Sequence, residues 1–265
     1  MPAAATSSTT LKQRIIDAAT ALGAQKVGFA HAVEVDSDAV EAYNQWLDNG
    51  MNGEMTYLAN YPDIRRQPQM LLAGDNHVDN ADNDDDGDHH RAATVIVFAF
   101  SYYHTERQAP EAAQFAMYAH GSDYHEVLRK KLQPIVALLN PEECRICVDS
   151  APLRERYWAM KAGVGFIGRN NQLIVPGMGS YFFLAEIVTT AAIEADAPCT
   201  ESCLQCGRCV SACPGGALCS EQQFDARRCL SYLTIEHRGP LPTAAFANDA
   251  DFAAALGQRV YGCDE

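Results

Sequence analysis

Between Cys203 and Pro214 the chain reads C-L-Q-C-G-R-C-V-S-A-C-P. Its cysteines, Cys203, Cys206, Cys209 and Cys213, follow the run of gaps two, two and three, closed by proline, that binds iron-sulfur clusters. Three thiolates on a tight loop reach three irons of one cubane. The fourth, set one helical turn on, points away, and in two-cluster ferredoxins it serves the other cluster. Structural zinc sites show two separated C-x2-C knuckles instead, and a disulfide framework belongs to small secreted domains in oxidising compartments. The spacing favours iron-sulfur and a chain that moves electrons.

At 265 residues and 48% hydrophobic content the chain is long enough to bury a proper core. The stretch from Met1 to Thr10 has no basic start and no apolar segment, so no signal peptide is read there. No apolar run approaches membrane-spanning length. A soluble, cytoplasmic protein without a membrane partner is expected, its ten cysteines kept reduced for metal. The net charge of -14 argues against a nucleic-acid partner. However, seven aspartates lie in the Asn/Asp/Gly/His segment Asp75 to His90, which lacks periodicity and reads as a solvated, disordered loop. Half the surplus is therefore local, and a basic face elsewhere stays open.

Helical spacing of Leu11, Ile15, Ala18, Ala19 and Leu22, stopped by Gly23, predicts a first helix, and Val27 to Ala30 a short strand. A second helix is expected over Asp38 to Leu47. Thr94 to Phe100, apolar on both faces, is the strongest strand signal. Tyr124 to Leu139 predicts a helix with Val127, Leu128, Leu132 and Val136 inward and a kink at Pro134. Cys144 to Val148 reads as a strand whose Cys144 and Cys147 point to opposite faces, as packed thiols rather than a redox pair. Next, Asp149 or Ser150 reads as the cap of a helix running through about Ala162, with Pro152 early in it. Gly163, Gly165 and Gly168 make a loop that something approaches closely, weak evidence for a phosphate site. Leu173 to Val175 and Tyr181 to Thr190 read as strands. Phe224 to Ile235 is expected to be one helix holding Cys229, and Phe252 to Leu256 a further short helical region.

Several segments in order now carry a resemblance: Asp149-Ser150-Ala151-Pro152 with Glu155-Arg156; Ala162 to Asn170, A-G-V-G-F-I-G-R-N; the four-cysteine run; and Asp225 to Glu236, D-A-R-R-C-L-S-Y-L-T-I-E. Gly53-Glu54-Met55, Gly121 to His125 and Tyr261-Gly262-Cys263-Asp264 fit the same pattern. Together they closely resemble the epoxyqueuosine reductase family, across nearly the whole chain except the acidic loop.

That resemblance implies an α+β fold. A layered α/β cobalamin-binding domain, related to reductive dehalogenases, would span 11–195 after a disordered N-terminus at 1–10, with the acidic loop at 75–90. A ferredoxin-like domain would follow over 196–265. It implies an enzyme in which two [4Fe-4S] clusters feed cobalamin, and which reduces the epoxide of epoxyqueuosine at a tRNA wobble position to queuosine. By the same resemblance Asp149 is the proton donor and also a cofactor contact, a role requiring a raised pKa. Arg65, Leu173 and Ser231 match cobalamin contacts, and Arg238 falls near the tRNA. Cys203, Cys206 and Cys209 would ligate one cluster, and Cys213, Cys229 and Cys263 the other. Family members continue with two further cysteines beyond Glu265, so the expectation is a C-terminally truncated chain with each cluster one thiolate short; Cys199 and Cys219 sit at no family position. A monomer served by an external electron donor of reductase, flavodoxin or ferredoxin type is expected. The readings against which this stands are an iron-sulfur electron carrier or an inactive fragment, both without corrinoid chemistry, and a cobalamin enzyme acting on another small epoxide or halide.

Overall fold

The computed structural model describes residues 10–72, 91–219, 224–241, 246 and 248–265. The acidic segment Asp75 to His90, and all of the N-terminal stretch except Thr10, lie outside the described residues.

A four-stranded antiparallel sheet organises the chain, in the order β1 (Lys26–His31), β2 (Thr94–Ser101), β7 (Phe182–Thr189), β4 (Cys144–Cys147). β2 is buried along both faces because its alternate side chains feed two separate cores. Val95, Val97 and Ala99 enter one, and Ile96, Phe98 and Phe100 the other. The first core is closed by α5 (Glu155–Lys161), whose Tyr157, Trp158 and Ala159 are buried, with α2 (Ser37–Asp48) packed at its edge through Ala39 and Val40. The second is closed by α1 (Leu11–Ala21) and α4 (Tyr124–Leu139) through Ile15, Ala19, Leu128, Leu132, Ile135 and Leu139. Each large apolar side chain so buried contributes about 1.5–3 kcal/mol, which is what holds helices to both faces. The fold is thus mixed α/β, in layers as expected, around an antiparallel sheet.

Cys144 and Cys147 do separate, Cys144 into the second core and Cys147 into the first. Within α4 the inward stripe differs from the expected one. Val127 is exposed and Val136 only partly buried, and Ile135 and Leu139 take the core positions, as i, i+4, i+7 and i+11 from Leu128 require. α4 (Tyr124–Leu139) continues past Pro134, which leaves the Lys130 carbonyl without its helical donor.

Three further α-helices, α6 (Arg208–Ala212), α7 (Leu230–Ile235) and α8 (Asp249–Leu256), belong to the C-terminal region. Ala226, Leu230, Tyr232, Leu233 and Phe252 form a third core, against which Trp46 of α2 packs. The single helix expected over Phe224 to Ile235 is broken. A 3-10 turn spans Ala226–Arg228, and Cys229 is extended, at the N-terminus of α7 rather than inside a helix. A short parallel pair, β3 (Gln114–Phe115) with β8 (Arg259–Tyr261), ties the end of the chain to the segment preceding α4. Among the described residues no helix is long and apolar enough to cross a membrane.

Candidate active site

β4 ends at Cys147, and after the buried Val148 the chain turns sharply through Asp149, a non-glycine residue at φ 57°. Left-handed backbone at an aspartate stores strain and needs surrounding contacts to hold it. Here these come from two directions. From behind, the Asp149 N–H donates to Glu155 Oε1 at 2.6 Å. From the front, Tyr124 Oη donates to Asp149 Oδ2 at 2.8 Å, and His125 Nε2 lies 3.3 Å from the same oxygen. His125 Nδ1 in turn is 2.7 Å from Asp123 Oδ1, and Asp123 caps α4 by accepting the His125 N–H. Hydrogen bonds from His125 hold the Asp123 carboxyl below its usual range. Asp149 is thus no helix cap: α5 begins at Glu155, three residues beyond Pro152, and its N-cap Arg154 makes no side-chain capping bond.

Tyr57 faces this carboxylate. Burial, then the Glu236 carboxylate it bonds at 3.3 Å, then Asp149, push its hydroxyl up to about 12, and Arg65 opposes them. Arg65, in the short helix α3 (Pro62–Arg66), donates to the Asn60 and Tyr57 carbonyls at 2.8 and 3.2 Å, so its guanidinium is anchored beside the site rather than loosely solvated. The Gly53-Glu54-Met55 segment is a junction. Glu54 N–H donates to Tyr232 Oη at 2.8 Å, while Glu54 Oε2 accepts the Arg238 N–H at 2.9 Å and Oε1 lies 3.2 Å from His237 Nδ1. Gly53 is required: φ is +60°, and a Cβ would sit 2.5 Å from the Tyr232 hydroxyl. Ser231 lies in the first turn of α7. Leu173, in β6 (Leu173–Ile174), which pairs with β5 (Phe166–Ile167), is 5% exposed and packed in the first core.

The cysteines fall into two groups. Cys203 and Cys206 lie on a loop whose turns at Gln205 and Gly207 are left-handed, at φ 54° and 74°, and Cys209 follows in the first turn of α6. The N–H groups of Gln205 and Arg169 point at the Cys203 sulfur and lower its pKa. Cys213, at the end of α6, Cys229 and Cys263 come close enough for their charges to interact. Burial raises Cys229, and the Tyr232 and Ser231 N–H groups at the start of α7 oppose it. These are ordinary devices for holding thiolates on a cluster. Among the described residues no three His, Cys, Asp or Glu side chains converge tightly enough to hold a single metal ion. A cubane, whose cysteines bind separate irons, requires no such convergence.

The glycine loop is used by the chain itself. A Cβ on Gly163 would lie 2.4 Å from the Ala197 carbonyl oxygen, and one on Gly165 2.3 Å from that of Ile174. At Gly168 the Asn170 and Ile174 side chains would be met at 2.5 Å. The close approach expected from the sequence is made here by β6 and the 196–197 segment. Six residues of the site were not singled out as site residues from the sequence: Tyr57, Asp123, Tyr124, His125, Glu155 and Glu186. Asp123, Tyr124, His125 and Glu155 stand in segments that carry the family resemblance. Glu186 had its own signal, a lone carboxylate inside the apolar strand F-F-L-A-E-I-V-T.

Comparison with known proteins agrees with this arrangement. A family model described as epoxyqueuosine reductase QueG, DUF1730, matches residues 89–150, ending one residue after Asp149. A 4Fe-4S double cluster binding domain matches residues 202–265, so a 4Fe-4S cluster-binding domain is present. An epoxyqueuosine reductase of Cyclobacterium marinum is 35% identical over 93% of this chain and 74% of its own length. A crystal structure of epoxyqueuosine reductase with an epoxyqueuosine-modified tRNA-Tyr stem loop superposes with TM-score 0.78 at 30% identity, over 96% of this chain and 63% of that one. A Bacillus subtilis epoxyqueuosine reductase, described with its aspartate catalytic loop swung out of the active site, gives TM-score 0.75 at 30% identity, over 96% and 63%. The chain thus spans about three-quarters of the curated relative and somewhat under two-thirds of the solved ones. With the site, the cysteine run and the overall fold in agreement, the chain belongs to the epoxyqueuosine reductase family.

Proposed function

We propose that this protein reduces the epoxide of epoxyqueuosine in a tRNA anticodon to the alkene of queuosine. Two electrons and two protons are consumed, both C–O bonds of the epoxide break, and the oxygen leaves as water. The observation that carries this reading is the Asp149 carboxylate, held on one oxygen by Tyr124 and His125. Because both contacts fall on Oδ2, they leave Oδ1 to present a proton outward. An aspartate in the turn that follows a sheet strand is placed to act as general acid. The line from Asp123 through His125 to Asp149 gives a route by which solvent returns the proton after each turnover. An electron carrier needs neither feature.

Cobalamin is the cofactor of this reading, and the donor set suits it. Arg65, Tyr57 and Ser231 offer a guanidinium and hydroxyls to a ring edged with amides, and α7, which carries Ser231, reaches Tyr57 through Glu236. Leu173 would support the apolar side from the core. When bound, cobalamin supplies the strongly reducing centre that cleaves a C–O bond. Two [4Fe-4S] clusters, one on Cys203, Cys206 and Cys209 and one on Cys213, Cys229 and Cys263, would bring electrons from an external donor. Arg238, its backbone pinned by Glu54, is the residue offered to the tRNA, where a basic group positions a phosphate. In this reading residues 11–195 form the catalytic unit and 196–265 the electron-delivery unit of a cytoplasmic monomer.

The test uses protein purified anaerobically from cobalamin-supplied cells. Corrinoid absorbance beside iron-sulfur bands, together with loss of one oxygen from an epoxyqueuosine-bearing anticodon stem loop under a low-potential reductant, is the expected result. Iron-sulfur bands alone, with the nucleoside unchanged, would make the chain a carrier.

A further inference from the structure

Glu186 is the anomaly of the sheet. It stands in mid-β7, opposite Val97 on one side and Cys147 on the other, and is 0% exposed. Among the described residues no N–H or hydroxyl reaches either of its carboxyl oxygens. What faces it at hydrogen-bonding range is a second carboxyl, that of Glu155 in the first turn of α5. Two carboxylates cannot share such a contact unless a proton sits between them, since the like charges repel and neither offers a donor. Glu155 is the same residue whose Oε1 accepts the Asp149 N–H.

We propose that Glu186 is a positioning residue: its carboxylic acid donates to Glu155, and the pair, sharing one proton, clasps the Asp149 turn from behind. This deepens the reductase reading and rests on it only for the consequence to turnover. Glu155 Oε1 accepts the Asp149 N–H while the same carboxyl meets Glu186. A strained φ at Asp149 needs such an over-determined hold. The groups facing the pair are few. Asp149 approaches from the turn, Arg156 from α5 and Tyr124 from α4, and Cys147 faces both carboxyls from β4. Arg145 and Arg129 face Cys147 rather than the acids. Arg156 is engaged with the Asn171 carbonyl. Among the described residues no cation neutralises Glu186 directly. Consistently, burial first and the neighbouring carboxylates second push Glu155 up to about 7 and Glu186 well above the ordinary carboxyl range.

The experiment is infrared difference spectroscopy of the full chain between about pH 6 and pH 9, a window in which ordinary carboxyls are already ionised. It is read beside amide hydrogen exchange over the 148–151 turn and the pH profile of kcat. Wild type is expected to lose a protonated-carboxyl C=O band within that window. Glu186→Gln, which keeps the volume and a donor, is expected to move that titration down by about one unit or more, by removing the like charge from Glu155. It should leave turn exchange within about threefold of wild type and carry the kcat inflection with it. Glu186→Leu, which offers no donor, is expected to speed exchange of the turn by about tenfold or more, the scale of one charge-assisted hydrogen bond. Because Glu186→Leu risks unfolding, the deciding comparison is wild type against Glu186→Gln. Absence of a titrating protonated carboxyl in wild type, or a spectrum unchanged in Glu186→Gln, overturns the proposal. A band behaving as expected while Asp149→Asn retains full turnover would leave the pair standing and sink the reductase role of Asp149 instead.

Discussion

Tyr124 donates its hydroxyl to Asp149 Oδ2 at 2.8 Å, joining the first turn of α4 to the strained turn after β4. Phe183 stacks on the Tyr124 ring with centroids 4.3 Å apart and planes 9° apart, which fixes the direction of that hydroxyl. Burial and the adjacent Asp149 raise the Tyr124 pKa, so it stays a donor throughout the working range. Removing the hydroxyl in Tyr124→Phe keeps the stack and frees the carboxylate. Steady-state kinetics on the modified stem loop should show kcat falling roughly tenfold, the worth of one charged hydrogen bond, with little change in KM.

His125 bridges Asp123 and Asp149. If it returns protons to the acid, His125→Asn will slow turnover by about 10²-fold, the lower range for a positioned proton-transfer group, and added imidazole will restore part of the rate. A loss that imidazole does not relieve at any concentration would assign His125 to structure.

Stability should bend with pH in a direction set by the Glu155–Glu186 pair. Glu155 is pushed up to about 7 and Glu186 well above the ordinary carboxyl range, so the folded state holds protons that the unfolded chain has released above about pH 4.5. Their contribution is fully present below the unfolded value and is lost as pH rises through the folded one. Urea unfolding should therefore show stability declining between about pH 5 and 8, with the slope flattened in Glu186→Gln. At the acid end the sign reverses. Asp123 and Asp225, both lowered by hydrogen bonds from His125 and Arg227, contribute above their unfolded values and lose that contribution as pH falls through their folded ones.

The glycine loop gives a test of packing. Gly165→Ala places a Cβ 2.3 Å from the Ile174 carbonyl, a clash with backbone that cannot rotate away. A cost of about 1–3 kcal/mol is expected for overpacking, read as a drop in Tm of about 2–4 °C per kcal/mol.

Much of this was legible from the residues. The α4 boundaries, the buried β2 strand and the opposed Cys144 and Cys147 follow from periodicity, a local property the fold preserves. What periodicity cannot carry is long-range. Val127 reads as inward beside Leu128 yet is exposed, because α1 and the sheet select the Leu128, Leu132, Ile135 face. The Cys229 break needs its sulfur turned to the N–H groups of α7, a demand invisible to helix propensity. Asp149 had the composition of a helix cap, and only the fold brings Tyr124 and His125 to it from 24 or 25 residues away. The glycines announced a close approach correctly but not what approaches.

The cysteine grouping makes a stoichiometric prediction. Cys229→Ser should lose the iron and sulfide of one cubane, about four irons per chain, and Cys203→Ser those of the other, by the four-iron content of each cluster. Equal partial loss from both substitutions across both clusters would contradict the assignment of Cys213, Cys229 and Cys263 to one site.

The most direct measurement compares wild type with Asp149→Asn, each reconstituted with clusters and corrinoid, on an epoxyqueuosine-bearing stem loop, following the nucleoside by mass. Wild type should convert it to the product one oxygen lighter, while Asp149→Asn, with the same cofactor load and stem-loop affinity, should be slower by about 10²–10⁴-fold, the range for a lost general acid. Equal rates from the two proteins would contradict the general-acid role of Asp149.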